Sequence, residues 1–129
     1  IHLAADDGNP HTAPNPGFET LLVSPPVPDM PSTHSALGMA AAVVLTDAFG
    51  AGRAFRFASS SALPAHPARS FASFEVAALE NGDSRVKGGL HFRFAVDAGL
   101  KLGRQVGEHV IDEALPRLPD AKVRVAVRK

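Results

Sequence analysis

Two short stretches of this 129-residue chain gather side chains that bind oxyanions and move protons. The first is Pro31-Ser32-Thr33-His34-Ser35, directly before an apolar run. A helix starting here offers free first-turn N–H groups and the positive end of its dipole, which together make an anion cradle. Ser32 adds a hydroxyl, and His34 falls in the first turn, where the dipole disfavours a charged imidazole. A neutral His beside such a cradle suits proton transfer to or from a bound oxyanion. The same residues also read as an ordinary hydroxyl N-cap with an incidental histidine. The second stretch is Asp83-Ser84-Arg85 followed by Gly88-Gly89-Leu90-His91. Arg85 is a permanent cation whose planar fork suits tetrahedral oxyanions, and the paired glycines allow close backbone approach. The plain alternative is an Arg paired with a surface carboxylate and a histidine packed in the core.

These residues need elements to hold them. Asp6-Asp7-Gly8-Asn9-Pro10 and the prolines up to Pro31 predict an irregular, extended lead-in over residues 1–31. The spacing then predicts a helix from Ser32 through Leu45, apolar nearly all round and so buried, stopped by Gly50 and Gly52. Residues 51–69 read as a loop, with Phe55 and Phe57 on one side of a short extended piece. Ser70 is placed to cap a second helix that ends at Asn81-Gly82, which leaves Arg85 on the loop reaching to Gly89. A third helix is expected from about Leu90 to Leu115, before Pro116. Its Gly99, Gly103 and Gly107 lie on one stripe that admits a neighbouring helix. Val123 to Val127 alternate like a short strand with no sheet to join. The expectation is an all-α bundle with long loops, the motifs carried by residues 32–115 and a tail over 116–129.

Composition excludes several alternatives. Thirteen basic side chains balance thirteen acidic ones, so nothing in the overall charge points to nucleic acid or an anionic membrane. With no cysteine there is no disulfide framework, thiolate metal site or thiol nucleophile. The apolar run Ala40 to Leu45 is far too short to span a bilayer. His2, His11, His66 and His109 have no ligand-like spacing and read as surface or loop residues. Lys87 and Arg93 flank the second stretch, with Arg93 reading as a solvated charge. Glu80 and Asp83 are both in reach to orient a histidine through its far nitrogen.

Taken together, Pro31-Ser32-Thr33-His34-Ser35 and Ser84-Arg85 with five residues to His91 resemble two of the three signatures of the type 2 phosphatidic acid phosphatase and vanadium haloperoxidase superfamily. Ala5 to Pro10, Pro25 to Met30 and Gly88-Gly89-Leu90-His91-Phe92-Arg93-Phe94 are similar to its haloperoxidase-related branch. The resemblance covers the chain to about Val110. It implies a helical bundle whose helix ends and loops cradle vanadate, or phosphate in the same site. Ser32 and the Thr33 N–H would bind equatorial oxygens, and Arg85 would neutralise them. His34 would be the acid–base residue, and His91 the axial ligand to vanadium or, in a phosphatase, the nucleophile. Hydrogen peroxide, a halide and a small organic substrate are the implied partners, and a secreted or periplasmic location the implied setting.

The departures are specific. Thr33 stands where the family usually has Gly, and Val27 where chloride-oxidising members often have Phe, which tells against chloride. Ala95 stands where phosphatases usually carry an Asp that orients the second histidine, which favours the haloperoxidase branch. The family's first signature, a Lys, six residues and Arg-Pro, does not occur. Relatives carry it just upstream of a segment like the one at Ile1. The chain therefore reads as the C-terminal portion of a haloperoxidase-like protein. The alternatives are an acid phosphatase acting through a phosphohistidine, or a non-catalytic piece that needs an upstream chain or a second copy. The glycine stripe and exposed apolar surface are where such a partner is expected to pack.

Overall fold

A computed structural model of the chain describes residues 5–58 and 68–114. Residues 5–31 form turns without helix or strand, as the prolines require. Helix α1 then runs Thr33–Phe49, with Ser32 as its N-cap and Gly50 as its C-cap. Gly50 has φ 94°, in the region that favours glycine, so the chain turns away there. An antiparallel pair follows, β1 over Phe55–Ala58 and β2 over Ala68–Phe71, with Phe55 opposite Phe71 and Phe57 opposite Arg69. Helix α2 spans Phe74–Lys87 and helix α3 Arg93–His109, which continues as one π-helical turn, Val110–Ala114.

The molecule is mostly helical, as expected, but the boundaries differ in ways that matter. The loop expected over 51–69 contains the strand pair. Aromatic stacking holds it: Phe55 lies 5.5 Å from Phe71 and 4.9 Å from Phe74, centroid to centroid. Ser70 and Phe71 are drawn into β2, so Ser73 caps α2 instead, its hydroxyl accepting from Val76 N at 3.2 Å. Asn81-Gly82 does not end α2. Gly82 lies inside the helix and packs on α3, where a Cβ would meet Val96 Cγ1 at 3.0 Å. Arg85 thus sits on a helix and not on a loop. Helix α3 begins three residues later than expected because Leu90 N and His91 N both donate to Arg85 O in a turn. The expected end at Leu115, the 116–129 tail and the strand-like Val123 to Val127 lie outside the described residues.

The core is small. Met39, Ala42 and Ala78 are buried together, with Val43, Phe74 and Leu100 packed on them. Helix α3 presses its Gly99, Gly103 and Gly107 against α1: a Cβ at Gly103 would overlap the Ala36 carbonyl, and one at Gly107 would lie 2.7 Å from Val43 Cβ. The stripe expected to receive another chain is therefore already filled by α1. The opposite correction applies to α1 itself. It is not buried all round, because Leu37 is 68% exposed and Leu45 and Phe49 are also exposed. These residues line one side of the helix, at i, i+8 and i+12.

Candidate anion site

The geometry starts at the lead-in, which is clamped to α3 at both ends of a short segment. Ser32 N donates to Ala95 O at 2.9 Å, and Phe92 N donates to Asp29 Oδ1 at 3.3 Å. Residues 29–32 are thus tied to the first turn of α3 and to the turn before it. Gly99 makes this approach possible, because a Cβ there would overlap the Ser32 carbonyl oxygen. The two stretches singled out from sequence are brought to one place by backbone bonds.

On one side of that place is the start of α1. Ser32 is wholly buried, and its hydroxyl oxygen accepts from Ser35 N at 3.5 Å and Ser35 Oγ at 2.9 Å. Its first role is therefore the cap that the plain reading gives it, and its own hydroxyl proton is left to donate. The N–H groups of Thr33 and His34 have no acceptor within the helix, and both residues are exposed. Asn81 Nδ2 on α2 donates to His34 O at 2.8 Å, which fixes the first turn against α2. Burial, then the charge of Arg85, then that of His91 hold the His34 imidazole below its ordinary value of 6.5. His34 therefore lies within electrostatic reach of both Arg85 and His91.

Arg85 reaches this place from the last turn of α2. Its Nε is buried with no hydrogen-bond partner among the described residues. The carbonyl of Arg85 takes the N–H groups of Leu90 at 3.0 Å and His91 at 3.3 Å. Gly89, at φ 74°, makes the turn that lets the chain double back this way. The backbone of Arg85 is in this way bonded to the turn that carries His91.

His91 has only 5% of its side chain exposed, and its Nδ1 lies 3.0 Å from Asp29 Oδ1. A carboxylate only accepts, so Nδ1 carries the proton that faces Asp29. Neither carboxylate favoured from sequence does this. Glu80 is paired with Arg69 at 2.7 Å, and Asp83 with Arg93 at 2.8 Å. Arg93 is thus a solvent-exposed charge, as expected, and it is paired with Asp83. Asp29 is legible in the sequence only as part of the Pro25 to Met30 resemblance. It is far from His91 along the chain, and nothing local marks it as a partner.

The donor set fits a phosphate- or vanadate-like oxyanion. It offers one fixed cation with an unused buried nitrogen, free helix N-terminal N–H groups, a neutral-leaning histidine, and a second histidine with Nε2 presented. Beside it, an open groove of about 950 Å³ is bordered by Phe18, Leu21, Lys87, Leu90 and Phe92. The groove takes in His91 and Asp29 but none of Ser32, Thr33, His34 and Arg85, so it adjoins the anion site without covering it. Among the described residues, no helix is long and apolar enough to cross a membrane.

Comparison with known proteins gives the same family from outside the chain. A family model described as the VCPO second helical-bundle domain matches residues 2–118. Among solved structures, a bacterial vanadium-dependent iodoperoxidase is similar at TM-score 0.67 and 40% identity, over 75% of this chain and 23% of that one. The holo form of a bacterial vanadium-dependent chloroperoxidase gives TM-score 0.58 at 20% identity, over 72% of this chain and 22% of that one. Its apo form gives 0.56 at 21% identity, over 70% and 22%. At those lower identities the likeness is one of fold. No curated protein matches significantly. The chain spans less than a quarter of the length of these solved relatives.

Proposed function

The chain belongs to the vanadium haloperoxidase family, in its second helical-bundle domain, and from that premise we propose that it holds vanadate at a site where halide is oxidised by hydrogen peroxide. One observation carries this reading: the bond from Ser32 N to Ala95 O and those from Leu90 N and His91 N to Arg85 O bring the start of α1, Arg85 and His91 to one place. Vanadate, when bound, supplies a Lewis-acid centre that activates peroxide toward halide.

The chain's own residues do the rest. Arg85 gives a charge that no pH change removes, and its unpartnered Nε has a donor to spend. The N–H of Thr33 and the Ser32 hydroxyl add neutral donors, so a bound oxyanion would find partners from both backbone and side chain. Nε2 of His91 would hold the bound metal. His34, held neutral over a wider range than usual, can take a proton at mildly acidic pH and return it as the substrate reacts. The groove beside His91 is the nearest place for a small organic substrate. The relative at 40% identity is an iodoperoxidase, and Val27 replaces the Phe usual in chloride-oxidising relatives, so iodide is the halide to try first. By the habit of the family, we place the protein in a secreted or periplasmic setting.

The test is vanadate-dependent iodide and bromide oxidation by the purified chain with hydrogen peroxide, against His91→Ala. Activity that requires both vanadate and His91 is the expected result. Its absence from folded protein refutes a complete site in this chain. Two further readings have specific support. A carboxylate does reach His91, from Asp29, so Ala95 no longer separates a phosphatase from a peroxidase. Hydrolysis of a simple phosphate monoester without vanadate is the sign of the phosphohistidine route. The exposed Leu37, Leu45 and Phe49 support packing of α1 against an upstream chain or a second copy, which light scattering would detect as association.

A further inference from the structure

The segment Pro25-Pro26-Val27-Pro28-Asp29 is a run of bends, with Val27 N donating to Pro25 O at 2.8 Å, and it delivers one carboxylate to the turn that precedes α3. Asp29 Oδ1 accepts twice there, from His91 Nδ1 at 3.0 Å and from Phe92 N at 3.3 Å. The other oxygen, Oδ2, is buried without a partner among the described residues. No arginine or lysine among the described residues is paired with Asp29, so its charge is directed to the imidazole. We propose that Asp29 is the positioning residue of the site: it fixes His91 as the Nδ1–H tautomer and aims the Nε2 lone pair at the oxyanion. The proposal rests on the oxyanion site described above.

The physical reason is tautomeric. A free histidine side chain favours the Nε2–H form, in which Nε2 can donate but cannot act as ligand or nucleophile. A fixed acceptor at Nδ1 reverses that preference, and the backbone bond from Phe92 holds the acceptor in place. The clamp from Ser32 N to Ala95 O keeps the same segment in register with α3, so residues on both sides of the anion move together. An Asn at position 29 would turn its carbonyl oxygen to these two donors, because both need an acceptor, and so would keep the tautomer without the charge.

The experiment uses the chain labelled with ¹⁵N in its histidine rings, at about pH 8, above the ordinary imidazole value. Long-range ¹H–¹⁵N spectra give the tautomer of His91 without vanadate, and equilibrium dialysis with orthovanadate gives the affinity. We expect Nδ1–H in the native chain and in Asp29→Asn, and Nε2–H in Asp29→Ala. Vanadate affinity should fall about 10–100-fold in Asp29→Ala and less in Asp29→Asn. A native ring carrying Nε2–H overturns the proposal, as does Asp29→Ala retaining Nδ1–H. If Asp29→Ala fails to fold, the native spectrum still decides. If vanadate never binds while the tautomers are as expected, the site's proposed function fails and the orienting role of Asp29 stands.

Discussion

Gly99→Ala is the substitution that asks most directly whether the approach of α3 to α1 builds the site. Alanine in mid-helix is intrinsically better than glycine by about 1 kcal/mol, so propensity alone predicts stabilisation. The structure predicts the reverse. The added Cβ would overlap the Ser32 carbonyl oxygen and lie 3.0 Å from Ser35 Cβ, with Ser32 C at 3.3 Å. Two of these three atoms are backbone, and no rotamer change relieves them. Forcing a methyl into such a contact costs on the order of 1–3 kcal/mol, and a backbone clash belongs at the upper end. Subtracting the propensity gain leaves about 2 kcal/mol of net destabilisation. In a chain of 129 residues that is a fall in Tm of about 7 °C. Thermal unfolding followed by circular dichroism would measure it. Gly82→Ala is the matched control: its Cβ meets only the Val96 Cγ1 methyl at 3.0 Å and looser side-chain atoms, so the change there should be near zero or slightly stabilising. Because the overlap is at the cap that holds the start of α1, folded Gly99→Ala should also bind vanadate less tightly. A Tm equal to or above the native value would show that α1 and α3 separate without cost, and would refute the close-contact argument.

Four more outcomes are expected. The charge of Arg85 is one cause of His34's lowered pKa, so Arg85→Gln should move the His34 titration up toward 6.5, read from its ring protons by NMR. A bound phosphate or vanadate should raise the same pKa, and by linkage its affinity should increase as pH falls through the His34 titration; an affinity independent of pH there would argue that His34 is remote. Asn81→Ala removes the 2.8 Å bond to His34 O and should cost about 1 kcal/mol in urea unfolding while loosening the first turn of α1 in hydrogen exchange. Arg69→Ala removes a pair with Glu80 in which both side chains are about half exposed, so its unfolding midpoint should shift by less than that of Asn81→Ala.

The residues proposed to bear the chemistry are legible in the sequence itself, because motif spacing is a local property. Ser32, Thr33, His34, Arg85 and His91 stand in two short windows, and the structure brings their two elements together through the Ser32 to Ala95 bond. The start of α1 is equally legible, since its cap is written in consecutive residues. The start and end of α2 are not. Asn81-Gly82 reads as a helix end until its tertiary use is seen: Asn81 reaches across to His34 O, and Gly82 makes room for Val96. Ser70 reads as a cap, but a strand partner distant in the chain claims it first. The orienting carboxylate is the feature furthest from sequence reading, for the same reason. Glu80 and Asp83 are close to the histidines in sequence, yet arginines hold both, while Asp29 comes from 62 residues away. Sequence determined which atoms could do chemistry, because that depends on residue type and local spacing. Only the tertiary structure decided which carboxylate faces His91 and which face of α1 stays open, because those depend on long-range contacts that local patterns do not encode.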